Sequence, residues 1–121
     1  MQKILVVDDN VDNRNIIARM LKLSGFQVVC ASDGYQAIDL TEREAPDLIL
    51  MDLSMPVLDG WSATARIKAR PDLLHVPVIA VTGHVTRDDI ARALSVGCAD
   101  YLAKPIDYET LLLKVRTLLT A

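Results

Sequence analysis

Five short apolar runs, Ile4–Val7, Val28–Ala31, Leu48–Met51, Val78–Val81 and Tyr101–Ala103, recur at similar intervals along the 121 residues. None alternates polar with apolar, the mark of a sheet with one wet face. Continuous runs of this length read as strands covered on both sides, as in a parallel sheet. The stretches between them have helical spacing. Ile17, Met20, Leu21 and Ser24 share one face of the first, and Gly25 supplies its stop. Asp12, with Asn15 three residues on, is the expected N-cap there. The second spans about 35 to 44 with Ala37, Ile38 and Thr41 on one side; the third spans about 61 to 69 and carries Ala65 and Ile67. Thr86 is the expected cap of the fourth, with Asp88 and Asp89 where the helix dipole favours negative charge, and Gly97 closes it. The fifth runs from about Tyr108 to Leu119. This is (βα)5: an α/β chain whose right-handed crossovers give a doubly wound five-stranded parallel sheet with helices on both faces.

Length and composition set the outer bounds. A chain of 121 residues makes one compact domain, and with 51% apolar and 24% charged residues it can bury a core. The net charge is −3 and the basic residues are scattered, so no direct nucleic-acid contact is expected. No apolar run is long enough to span a bilayer, and no membrane partner is expected. Neither a signal-peptide pattern nor a Cys-x-x-Cys pair is present, so a reducing cytoplasm is the expected location. Cys30 and Cys98 each sit in an apolar stretch and read as small buried hydrophobes.

In open α/β sheets, ligands bind beyond the carboxyl ends of the strands, where strand order reverses. The first strand ends in Asp8-Asp9, the third in Asp52, the fourth in Thr82-Gly83 and the fifth in Lys104-Pro105. The second ends in Ser32-Asp33, as suits a strand at the sheet edge. Three carboxylates brought together repel one another and raise each other's pKa. A hard divalent cation with oxygen ligands relieves that repulsion, and Mg²⁺ fits best. Lys104 adds an ammonium able to pair with a carboxylate and an incoming anion at once. Carboxylate, cation, ammonium and the Thr82 hydroxyl together suit phosphoryl transfer to a carboxylate nucleophile.

These residues match a known pattern. Asp8-Asp9 after "KILVV", Asp52 in "LILMDLSMPVLDG", Thr82 in "VIAVTG" and Lys104-Pro105 in "DYLAKP" resemble the response-regulator receiver domain of two-component signal transduction, of the chemotaxis-regulator kind. The resemblance covers residues 1–121, in order and at the right spacings. It implies a flavodoxin-like sheet with strand order 2-1-3-4-5. It further implies Asp52 as phospho-acceptor and Mg²⁺ held by Asp9 and Asp52, with Asp8 acting through metal-bound water and the Ser54 carbonyl completing the set. Lys104 would contact the phosphoryl group, ahead of a cis proline at Pro105. Thr82 and Tyr101 would form the switch pair, reshaping the face made by the fourth helix, fifth strand and fifth helix. The positions of Ser54 and His84 would tune the phosphoryl lifetime. The implied partners are a histidine kinase or histidine phosphotransfer protein and a downstream protein target, with the chain a monomer or weak dimer. Either a single-domain regulator or the receiver of a hybrid kinase is expected.

Plainer roles exist for several of these residues. An aromatic in a strand, such as Tyr101, is more often packing than switch, and Asp59-Gly60 reads as a turn without chemistry. His75 and His84 have no companion set for a metal or a triad and read as surface residues. A phosphohydrolase of the haloacid dehalogenase type also uses an aspartate nucleophile, but it wants Asp-x-Asp, and here Asn10 holds the partner position. A flavodoxin-type FMN binder needs an anion-friendly first loop, which two carboxylates oppose.

Overall fold

The protein is described from a computed structural model, which covers residues 1–83 and 86–120. Its elements alternate as β1 (Lys3–Val7), α1 (Val11–Leu23), β2 (Gln27–Ala31), α2 (Gly34–Glu44), β3 (Leu48–Asp52), α3 (Gly60–Lys68), β4 (Val78–Thr82), α4 (Arg87–Ser95), β5 (Asp100–Ala103) and α5 (Tyr108–Leu119). All the strand pairs are parallel, in the order β2-β1-β3-β4-β5. The fold class and strand order are those expected.

The unbroken apolar runs have a direct cause. Successive strand residues point to opposite faces. Ile4, Val6, Leu48, Leu50, Ile79 and Val81 therefore pack with Ile17 and Leu21 of α1 and Leu111 and Val115 of α5. Leu5, Val7, Ile49, Met51, Val78 and Ala80 point the other way, onto Ala37 of α2, Ala63 and Ile67 of α3 and Ala93 of α4. Two cores thus grip one sheet, and every residue of β3 and β4 is buried.

At the sheet edge the rule weakens. In β2, Gln27 and Cys30 are exposed while Ala31 is buried. The expectation of a buried Cys30 is therefore corrected, because an edge strand lacks a neighbour to cover it. Cys98, at the foot of β5, is buried as expected.

Each helix among the described residues has a polar N-cap. Asn13, Gln36, Ser62, Asp89 and Thr110 donate their amides to the side chains of Asn10, Asp33, Asp59, Thr86 and Asp107. Two expectations shift as a result. Asn10 caps α1, and Asp12 lies inside its first turn. Asp59-Gly60 is the cap and first residue of α3. Gly25 and Gly97 end α1 and α4, with the Phe26 and Cys98 amides donating back to the carbonyls of Leu21 and Ala93. No helix among the described residues is long and apolar enough to cross a membrane.

Gly60 matters for a different reason. A Cβ there would stand 2.1 Å from the carbonyl oxygen of Asp52 and 2.8 Å from the Leu53 Cα. Both obstacles are backbone, so neither can swing aside. A Cβ at Gly83 would meet nothing within 4 Å. Gly60→Ala is accordingly expected to destabilise the fold by about 2–3 kcal/mol, as overpacking does, and Gly83→Ala to leave stability within about 0.5 kcal/mol of the parent. Urea unfolding of the two variants checks this; equal midpoints would refute the packing of α3 against Asp52.

Candidate functional site

Because the strands are parallel, their carboxyl ends share one rim. Asp8 follows β1, Asp52 ends β3, Thr82 ends β4 and Lys104 follows β5. Chain geometry holds each in place. The Asp8 amide donates to the Ala31 carbonyl, so the pairing of β1 with β2 carries one residue beyond the strand. Asp8 Oδ1 accepts the Asn10 amide at 2.9 Å, and the Asp8 carbonyl accepts from the Arg14 guanidinium at 2.9 Å. Asp52 Oδ1 accepts the Ser54 amide at 3.1 Å, while the Lys104 amide donates to the Thr82 carbonyl.

Ligand oxygens of Asp8, Asp9 and Asp52 lie within 4.8 Å of one another, the one such grouping of metal-ligand side chains among the described residues. Asp8 and Asp52 are buried and Asp9 is exposed. Lys104 Nζ stands 3.3 Å from Asp52 Oδ2 and 3.5 Å from Asp8 Oδ2. It pairs with both charges, yet neither buried oxygen receives a well-directed hydrogen bond. Two oriented carboxylate oxygens, one ammonium and a third carboxylate leave an excess of negative charge. The donors are all hard oxygens, which is the chemistry of an oxygen-ligated divalent cation such as Mg²⁺.

The remaining expected residues fall nearby or apart. Thr82 is buried at the end of β4, the strand paired with β3. Tyr101 is half-buried in β5, opposite Ala80. The Lys104–Pro105 peptide bond is cis. Ser54 is exposed, and its amide rather than its hydroxyl touches Asp52. His75 lies exposed in the turn before β4, and His84 lies outside the described residues. Three features went unassigned in the sequence. Arg14 anchors the Asp8 backbone; Gly60 seats α3 on Asp52; and Val57, at φ 71°, forms a tight turn in which the Leu58 amide donates to the Pro56 carbonyl. Only Gly60 carried a signal, as a glycine placed directly before a helical stretch.

Burial lifts the Asp52 carboxyl from its ordinary 3.8 to about 6; the Ser54 amide and Lys104 pull it back and Asp8 adds to the rise. An acid whose folded pKa is raised holds its proton more tightly in the folded state. Its contribution is fully present below pH 3.8 and is lost as pH climbs through about 6. Two pH units represent at most about 3 kcal/mol, and water at the open rim screens part of that, leaving about 1–2 kcal/mol. In EDTA, Asp52→Asn should therefore be more stable than wild type by that amount at pH 7, with the gap closing towards pH 4. Urea titrations across that range measure it; a gap independent of pH would contradict the burial of Asp52.

The comparisons with known proteins converge on one family. The family model described as "Response regulator receiver domain" matches residues 4–116. The polar-differentiation response regulator DivK of Brucella anthropi is 35% identical over 105 residues, covering 87% of this chain and 85% of DivK. The response regulator PleD of Caulobacter vibrioides is 37% identical over 116 residues, 96% of this chain but 26% of PleD. Among solved structures, the receiver domain of the sensor histidine kinase PA1611 from Pseudomonas aeruginosa is 40% identical, with a TM-score of 0.92 over 99% of this chain and 98% of that one. It carries a magnesium ion coordinated in its active-site cleft. With its motifs on the strand ends of the same fold, the chain belongs to the response-regulator receiver domains of two-component signalling.

Proposed function

We infer that the chain is a phosphorylation-dependent signalling switch whose acceptor is Asp52. The observation that carries this is the pair of buried, undirected oxygens, Asp52 Oδ2 and Asp8 Oδ2, facing one ammonium at 3.3 and 3.5 Å. Asp8, Asp9, Asp52 and the Ser54 carbonyl would hold Mg²⁺. The magnesium ion in the PA1611 receiver supports that choice of metal. When bound, Mg²⁺ supplies positive charge to the acid cluster and to the transferring phosphoryl oxygens.

Everything else is work for the chain's own side chains. With its carboxyl at about 6, Asp52 is largely ionised at neutral pH and able to attack. Its oxygen forms a bond to phosphorus as the phosphorus–nitrogen bond to a donor histidine breaks, and the electron pair returns to the imidazole. Lys104 then holds a phosphoryl oxygen instead of pairing the two carboxylates. The Thr82 hydroxyl accompanies the phosphoryl group, and Tyr101 follows it inward. A pre-existing equilibrium of the face made by α4, β5 and α5 shifts for binding a downstream protein. The donor is a histidine kinase or a histidine phosphotransfer protein. A groove of about 370 Å³ beside Lys104, lined by Asn13, Ile16, Ile17, Met20, Pro105 and Ile106, offers that partner an apolar margin. Residues 1–121 form a single receiver unit acting in the cytoplasm. The likeness to the response regulator DivK and to a sensor-kinase receiver supports either a single-domain regulator or a hybrid-kinase receiver.

Intact-protein mass after incubation with acetyl phosphate, with and without Mg²⁺, tests the assignment. One Mg²⁺-dependent phosphoryl adduct on wild type and none on Asp52→Asn is expected. Lys104→Ala should still bind Mg²⁺, followed as a rise in melting temperature, but form the adduct at least about tenfold more slowly, the worth of one charged group at the transition state. An adduct on Asp52→Asn would refute the acceptor, and a wild-type rate in Lys104→Ala would refute the role of the lysine.

A further inference from the structure

Lys114, in the middle of α5, reaches back over the last strand and grips it at three points. Its ammonium donates to the Tyr101 carbonyl oxygen at 2.6 Å and to Asp100 Oδ1 at 3.1 Å. It also lies 4.4 Å from the centroid of the Tyr101 ring. Asp100 Oδ1 in turn accepts the Tyr101 amide at 2.8 Å, so the backbone on both sides of the ring is tied to the same lysine. β5 is one of the two outer strands of the sheet. Tyr101 is half-buried there, leaning on the cluster beneath α4 on one side and covered by the ammonium on the other.

We propose that Lys114 is a positioning residue that holds the Tyr101 ring in its half-buried seat at the sheet edge and so sets how readily the receiver switches. The inference rests on the reading of Tyr101 as the ring that moves inward behind Thr82. Cation–π attraction requires the charge over the ring face and falls away once the ring turns from it. The two hydrogen bonds keep the ammonium at the strand edge, so it cannot follow. Moving the ring inward therefore forfeits the contact, and Lys114 weights the equilibrium against the switched state. A receiver that is phosphorylated through its switched state reacts in proportion to that state's population, so whatever opposes the switched state slows the phosphorylation. Neutralising the lysine releases that restraint, whereas an arginine, which also stacks on aromatic faces, retains it.

The test follows the rate of phosphoryl adduct formation from acetyl phosphate with Mg²⁺, read by intact mass, in wild type, Lys114→Gln, Lys114→Arg and each change combined with Tyr101→Leu. Lys114→Gln should accelerate adduct formation by about three- to thirtyfold, the span of a cation–π contact. Lys114→Arg should stay within about twofold of wild type, and Lys114→Gln should have no effect once Tyr101 is Leu. An unchanged or slower rate in Lys114→Gln, or the same acceleration in the Tyr101→Leu background, would overturn the proposal while leaving Asp52 as acceptor. A folded wild type that forms no adduct would overturn the acceptor reading, and this inference with it.

Discussion

Two buried carboxylates, Asp8 and Asp52, share a single ammonium, and a third, Asp9, stands at their edge. Charges of one sign held this close resist folding unless something opposite answers them. Lys104 answers only in part, because one cation faces two carboxylates and aligns with neither. Burial does most to raise the Asp52 carboxyl, and the nearby Asp8 charge adds to the rise. A site built in this way is unstable by itself and is improved by any added positive charge. Its donors are hard oxygens, which suit a divalent cation such as Mg²⁺.

Such a site needs a frame that does not yield to it. The two cores supply that frame by packing the sheet from both sides, so that β1 and β3, which carry the acids, are among the most enclosed strands. Backbone bonds then hold the acids where side-chain charge would push them apart. The Asp8 amide is tied to β2 and its carbonyl to Arg14. The Asp52 carbonyl lies directly under Gly60. The other side of the sheet is held more lightly. α4 buries only Ala93, and it is held from outside by the Arg92 guanidinium 4.0 Å above the Trp61 ring. β5 is short and exposed at its edge, fastened by Lys114. Enclosed strands carry the acids, and more lightly fastened elements lie beyond them.

Much of this is legible in the order of the amino acids. Strand runs at Leu48–Met51 and Val78–Val81 mark central strands because burial on both faces leaves no polar position, and that is a local property of the chain. Thr86 and Gly97 mark the limits of α4 because caps and stops are also local. Polar residues placed just past those runs mark the rim, since the topology leaves them no other end. Local patterns mislead where neighbours in space decide. Cys30 looks buried by its apolar flanks and is exposed because β2 has no strand beyond it. Asp12 looks like a cap and is displaced by Asn10, because α1 begins as soon as the chain clears the tie between Asp8 and the Asn10 amide. Asp59-Gly60 looks like a free turn and proves to be the seat of α3 against Asp52.

The division has a physical basis. Alternation of β and α, the two-faced burial of the strands and the residue types at their ends are set by neighbours in the chain and are readable from its order alone. Which oxygens face Lys104, how far burial lifts Asp52, what anchors Asp8 and where Lys114 reaches Tyr101 depend on pairs such as Asp52 with Lys104 and Arg14 with the Asp8 carbonyl. Those distances exist only after the strands have been laid side by side and the helices closed over them, because electrostatic and stacking energies follow separation in space rather than separation along the chain.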